Sequence, residues 1–322
     1  MEYVTLGRAG ARVSRIALGT MNFGPVIDRD ASFALMDQAV DAGVTFFDTA
    51  DVYGGEPWGP HPGQTEELLG EWLSSRGRRD GLVIATKVHG PMGSGVNDRG
   101  LSAVHIRQGV EASLRRLRLE HIDLYQMHHI VRDVPIDEVL EAFSVLRQQG
   151  KITYLGSSNF AGWTIAQYQE VAAATGMPRI VTEQSLYNLT QRTVELEVIP
   201  AALEYGMGLL PWSPLGSGQL GGMLQKADRS RSADLGLSDD RVDRIRRYES
   251  FARERGIAPG TLAIAWLLHQ PAVTAPIVGP RVPDQLTSAI DALDVTLSGD
   301  DLAALDEIWP GPGGAAPEAY AW

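Results

Sequence analysis

The residues best able to do chemistry stand at the ends of short apolar runs. The stretch Val44-Thr-Phe-Phe-Asp-Thr-Ala-Asp-Val-Tyr-Gly54 begins as a strand-forming run, delivers a carboxylate at Asp48, and five residues later a phenol at Tyr53. Val83-Ile-Ala-Thr leads directly into Lys87, one of three lysines in the chain, so this amine closes an apolar strand instead of decorating a surface. Leu124-Tyr-Gln-Met leads likewise into His128. A single ionisable strand end reads as a turn cap beside a half-buried ring. An acid, a phenol, an amine and an imidazole on three consecutive strands would be hard to stabilise as core, because each buried charge needs a partner. The four are expected to meet.

Meeting requires a scaffold that gathers strand ends. After a hairpin predicted around Gly7 to Gly10, strand-like and helix-like segments alternate. Strands are predicted at 15–19, 44–48, 81–87, 122–127, 152–156, 180–184, 208–212 and 273–278. The helix over 30–41 carries Phe33, Met36 and Val40 on one face and is closed by Gly43. Ser102 caps a helix with Ile106, Val110, Leu114 and Leu117 in phase. Pro135 opens another that Gly150 ends, and further helices are predicted at 65–74, 163–174, up to Tyr205, at 242–255 and 261–269, and after Pro283 and Ser298. Eight strands, each followed by a helix at a spacing of roughly 30–40 residues, predict a (β/α)8 TIM barrel spanning 1–322 as one α/β domain. The surplus residues form the N-terminal β-hairpin, long mouth-side loops at 54–64, 89–100 and 214–240, and a tail from Trp309. A doubly wound open sheet would need a phosphate-binding glycine turn after its first strand, and Gly19-Thr-Met-Asn22 lacks one.

The net charge of −12 and the pI near 5.0 argue against sequence-independent nucleic-acid binding, which relies on Lys and Arg neutralising phosphates. With no cysteine, disulfides, thiolate zinc sites and thiol nucleophiles are excluded. No His-Glu-x-x-His pattern suggests a metal. The apolar segment 262–268 is too short to span a bilayer, and the N-terminus lacks the basic and apolar regions of a signal peptide. The expectation is a cytoplasmic protein acting on a small molecule, with no membrane association.

Phe47-Asp-Thr-Ala-Asp-Val-Tyr-Gly54, Lys87, Met127-His128, Gly156-Ser-Ser-Asn-Phe160 and Trp212-Ser-Pro-Leu215 resemble the motifs of the aldo-keto reductase superfamily, over a stretch from the hairpin to about Ala292. That resemblance implies a barrel holding a nicotinamide cofactor at its mouth, reversible reduction of an aldehyde or ketone, and Asp48, Tyr53, Lys87 and His128 as the catalytic residues. The chemistry is consistent with those roles. A free tyrosine has a pKa of ~10, too high for ready proton exchange at neutral pH. An ammonium ~4 Å away at an effective dielectric of ~20 contributes about 4 kcal/mol, enough to lower the phenol's pKa by about three before desolvation subtracts some. Lys87 is expected to bring Tyr53 towards neutrality, with Asp48 as the countercharge and His128 donating to the carbonyl oxygen. His129 follows His128, and because adjacent strand residues point to opposite faces both cannot serve the site equally, which leaves His129 in the pocket wall or packed outside.

Gly216-Ser-Gly-Gln-Leu-Gly221 matches G-x-G-x-x-G, yet Pro214 separates it from its strand and a polar loop follows, so it is not read as a dinucleotide-fold fingerprint. The resemblance instead places Ser213, Leu215 and Ser217 along the cofactor's pyrophosphate, Ser158, Asn159 and Gln184 at its carboxamide, and Trp212 stacked on the nicotinamide. The adenosine end is expected near Gly279, Arg281 and Gln285. Arg281 and the following helix N-terminus suit a 2′-phosphate, which favours NADPH over NADH. Pro280 and Ala289 depart from the family pattern, which implies weaker cofactor binding. Asn22, Phe23, Trp58, His89, Tyr320 and Trp322 are candidates for the pocket wall. The alternative reading is a cofactor-retaining sensor of the potassium-channel β-subunit type, disfavoured because no inactivating segment precedes the predicted barrel.

Overall fold

The computed structural model describes residues 1–57, 59–77, 79, 81–226 and 236–321. Strands β1 (Tyr3–Thr5) and β2 (Arg12–Ser14) form the antiparallel N-terminal hairpin. There follow β3 (Ala17–Gly19), α1 (Arg29–Asp41), β4 (Phe46–Asp48), α2 (Gln64–Ser75), β5 (Val83–Val88), α3 (Ala103–Leu117), β6 (Ile122–Met127) and α4 (Ile136–Gln148). Then come β7 (Ile152–Ser158), α5 (Gly162–Thr175), β8 (Ile180–Leu186), α6 (Val198–Glu204), β9 (Gly208–Trp212) and α7 (Met223–Lys226). The chain closes with α8 (Asp239–Glu254), α9 (Pro259–Leu268), β10 (Ile277–Val278), α10 (Pro283–Ile290), α11 (Gly299–Ile308) and α12 (Glu318–Ala321). Strands β3 to β9 pair in parallel in chain order, and β10 pairs with β3. Leu209 bridges this sheet to the segment before β10, its amide donating to Ala272 O and its carbonyl accepting from Thr274 N, so the (β/α)8 barrel comes round on itself. All eight predicted barrel strands are present. The first, second and last are shorter than predicted, and β10 meets β3 over only two residue pairs.

Local chemistry sets the helix ends. Asp28 caps α1 and Ser102 caps α3, each side chain accepting an amide of the first turn. Ser298 and Asp301 form a reciprocal capping box on α11. Gly43 and Gly150, past the ends of α1 and α4, take the left-handed conformation that stops a helix.

Alternation along each strand divides the core in two. Outward residues pack under the helices, as Phe47 does by stacking on Trp72 at 5.3 Å. Inward residues Phe46, Ala85, Leu124 and Leu210 fill the barrel, and Leu6 and Val13 of the hairpin pack against them as a floor. The hairpin reaches that position because Gly7 lets two backbones touch. A Cβ there would lie 2.2 Å from Val181 O and 2.6 Å from Gly208 N, at a φ of +55°. With the floor closed by apolar side chains, polar inward groups gather at the opposite, carboxyl end.

Gly7→Ala should therefore lift the hairpin off the barrel and cost about 2 kcal/mol or more in urea-induced unfolding. An unchanged denaturation midpoint would show that the contact is not tight.

Candidate active site

The inward positions at the carboxyl ends of β4, β5, β6 and β8 are Asp48, Lys87, Gln126 and Gln184, all buried. Lys87 lies opposite Gln126 in the ladder, and Gln126 opposite Gly156. Gly156 is needed there, since a Cβ would stand 2.7 Å from Thr182 Oγ1 and 2.8 Å from Gln126 Cγ. The space it leaves lets Gln126 Nε2 reach Asp48 Oδ1 at 3.2 Å, where Gln184 Nε2 also donates at 2.8 Å.

Lys87 Nζ spends its three donors on Asp48 Oδ2 at 2.6 Å, Thr49 O at 2.8 Å and Tyr53 OH at 3.2 Å. Its side chain is fully buried and that of Asp48 nearly so. Burial opposes the ammonium, but the Asp48 charge and the Tyr53 oxygen hold its pKa above the usual lysine value. Tyr53 departs from expectation. Burial raises the phenol above its ordinary value, Lys87 pulls it down by less, and the Asp48 and Asp51 charges add to the rise. The neighbouring cation is evident from the sequence, whereas the completeness of burial that outweighs it is set only by the packing.

His128 lies beside this group, its ring edge-on to Tyr53 at 5.9 Å. His129 does not diverge from it as alternation predicted. The strand ends at Met127, and beyond it the two imidazoles stack at 5.0 Å and 11°. His89 meets His129 edge to face at 5.2 Å, so an aromatic row leads away from Tyr53. Burial, Lys87 and the neighbouring imidazoles push His128 well below the usual histidine range, and burial with its neighbours takes His89 down to about 4. Both are neutral at pH 7.

The predicted cofactor residues surround the same end of the barrel. Ser158 donates to Gln184 O at 2.9 Å. Asn159 Nδ2 donates to His128 O at 3.2 Å and Ser158 Oγ at 3.0 Å, while its Oδ1 accepts from Trp212 Nε1 at 3.1 Å. Gln184, expected at a carboxamide, gives its amide nitrogen to Asp48 and keeps Oε1 as its acceptor. After β9 the chain runs through tight turns, with Gly216 N on Ser213 O, Gly218 N on Leu215 O and Ser217 N on Ser213 Oγ. Gly216–Gly221 itself lies in these turns and not in a helix, so the glycine pattern belongs to a loop. Among the described residues, the non-glycine residues at positive φ are Arg118, Asn159, Ser213 and Ser217, and the last three are predicted cofactor residues. Such strain concentrates where a ligand is held. Arg281 is exposed, and its amide donates to Gln285 Oε1 at 2.7 Å at the start of α10. Asn22 ties β3's loop to Gly279 O at 2.9 Å.

A family model described as the Aldo/keto reductase family matches residues 15–310. The chain belongs to this family. It is 46% identical to the uncharacterized oxidoreductase YrpG of Bacillus subtilis, over the full length of both chains. It is 34% identical to a probable voltage-gated potassium channel subunit beta of Oryza sativa, covering 92% of each chain. It is 32% identical to norsolorinic acid reductase stcV of Emericella nidulans, over 94% of this chain and 80% of that one.

Other readings of this aldo/keto reductase need correcting. Phe23, a candidate wall residue, is fully buried in the main core. Trp58 and Trp322 lie outside the described residues, and Tyr320 is exposed on α12, whose approach is tied by Ala316 N to Leu196 O. Gln126 was not anticipated, although it stands two residues after inward-facing Leu124 and so shares the inward face of β6. A second buried polar group behind the site was also missed. Glu66 accepts from Thr86 Oγ1 at 2.6 Å and Arg116 Nε at 2.7 Å. Fully buried Asp51 has no well-formed hydrogen bond to either oxygen. Burial, with the Glu66 charge, pushes Asp51 up to about 8 against the pull of Arg116 and the Val52 and His89 amides.

Folded protein thus holds, up to about pH 8, a proton on Asp51 that unfolded chain releases near pH 3.8, so this residue costs stability increasingly as pH rises from about 4 to about 8. Asp51→Asn should stabilise the fold, by a margin that widens over that interval and is flat above it. Thermal melts of both proteins across the range would reveal the trend; a constant margin would contradict it.

Proposed function

We propose that the chain is an NADPH-dependent carbonyl reductase in which Tyr53 delivers the proton. The observation that carries this reading is the convergence of all three Lys87 donors on Asp48, Thr49 O and the Tyr53 oxygen inside the barrel. A lysine ammonium accepts no hydrogen bond, so the phenol's own hydrogen is directed elsewhere than Lys87. Its pKa, held above the ordinary value, keeps that proton in place until a substrate oxygen gains charge. As the proton leaves, Lys87 stabilises the phenolate formed, and the buried Asp48 keeps Lys87 charged throughout. Neutral His128 donates from one ring nitrogen to the same oxygen and orients the carbonyl.

The residues at the rim fit a dinucleotide. The strained Asn159, Ser213 and Ser217, the half-buried Trp212 and the Gln184 acceptor suit a nicotinamide and its pyrophosphate, and exposed Arg281 suits a 2′-phosphate. When bound, the reduced nicotinamide supplies the hydride. The oxidoreductase names of YrpG and norsolorinic acid reductase support the enzyme reading. The 34% identity to a probable channel β subunit favours a second one, a sensor that keeps its cofactor and turns over negligibly. An assay of NADPH oxidation with a panel of simple aldehydes separates them.

Tyr53→Phe should reduce carbonyl turnover at least ~1000-fold while NADPH binding stays within a few fold. Retained turnover would reject Tyr53 as proton donor. Arg281→Ala should weaken NADPH by about tenfold and NADH hardly at all, since one charge-assisted phosphate contact is lost. An equal loss for both cofactors would remove the 2′-phosphate assignment.

A further inference from the structure

Glu183 is a buried carboxylate that none of this chemistry uses. It stands on β8 between Thr182 and Gln184, which face the barrel interior, so it points out through the wall towards the end of β7. Its Oε1 accepts from Phe160 N at 3.1 Å and Ser185 Oγ at 2.8 Å, and its Oε2 from the Ser157 hydroxyl. All three partners are neutral. Two of them bracket residues 158 and 159. Between those ties Asn159 adopts a φ of +60° and links three strand ends: its side chain bonds to His128 O after β6, to Ser158 Oγ on β7 and to Trp212 Nε1 on β9.

We propose that Glu183 is the positioning residue of the cofactor site, clamping the turn 157–160 from behind so that Ser158 and Asn159 present their polar groups and hold Trp212 and His128 in register. This rests on the nicotinamide reading given above. Without the clamp, the backbone of this turn keeps the Asn159 N bond to Gln184 O at 3.0 Å but loses the ties of its two flanking residues to Glu183, and an Asn159 relaxed to an extended backbone would withdraw its side chain from His128 and Trp212 together. Burial with no cation at hand pushes Glu183 up to about 7, so the carboxyl is not a strong stabilising ion pair; what it offers is acceptor positions on one side of the turn. A glutamine keeps the acceptor for Phe160 N. Its amide can donate to Ser157 Oγ, whose hydrogen can turn to Thr182 O, 3.4 Å away.

The test is NADPH titration by protein fluorescence quenching, with steady-state kcat and KM for an aldehyde and the Tm of each variant. Glu183→Ala should raise the Kd for NADPH about tenfold and lower kcat/KM, Glu183→Gln should restore both to within about threefold of wild type, and Ser157→Ala should fall between. A Glu183→Ala protein with a lower Tm but wild-type Kd and KM would overturn the proposal, leaving Glu183 a purely structural residue. So would a Gln variant no better than Ala. If Glu183→Ala does not fold, Ser157→Ala decides: a raised Kd supports the clamp, an unchanged one refutes it. Wild-type protein that shows no response to NADPH would sink the cofactor reading itself and the clamp with it.

Discussion

The site depends on an ion pair inside the barrel, Lys87 to Asp48 at 2.6 Å, with both side chains almost wholly removed from water. Such a pair gains little over an apolar core, because desolvating two charges offsets most of their attraction. It persists here because each remaining polar position is met. Thr49 O and Tyr53 OH take the other Lys87 donors, and Gln126 and Gln184 occupy the second oxygen of Asp48. Removing one partner would strand a buried charge, so the four inward positions of β4, β5, β6 and β8 are coupled.

That coupling explains the shape of the surroundings. The hairpin closes the opposite end with Leu6 and Val13, which leaves the carboxyl end as the place where polar side chains collect. Gly156 contributes emptiness, giving Gln126 its path to Asp48. At the rim the imidazoles of His128, His129 and His89 form a row that burial keeps uncharged, so they present hydrogen-bonding aromatic surface without competing with Lys87 for Asp48. Outside the wall, Glu66 and Glu183 each fasten a neighbouring turn or strand through side-chain hydroxyls and amides.

Much of this was legible before any coordinates. Period-two alternation marked the strands, and caps such as Ser102 and Ser298 marked helix starts, because both signals are local. The four candidate catalytic residues announced themselves as ionisable groups closing apolar runs. Phe23 did not: a phenylalanine after a strand reads equally as pocket wall or core, and only its packing tells which. His129 was misplaced because alternation holds only while a strand lasts, and β6 stops at Met127. Asp51 and Glu183 gave no warning, since a carboxylate near a strand end usually reads as a turn residue or solvent-facing group.

What the sequence alone determined was the order of the elements, the alternation of faces along each strand, and the bringing of Asp48, Tyr53, Lys87 and His128 to one end. Those follow from periodicity and capping, which act over a few residues. What only the tertiary structure decided was the partner and the environment of each group: that Gln184 reaches Asp48, 136 positions away, and that Tyr53's pKa rises instead of falling. Both turn on how completely water is excluded and how closely distant strands approach, and neither quantity is carried by any local stretch of chain.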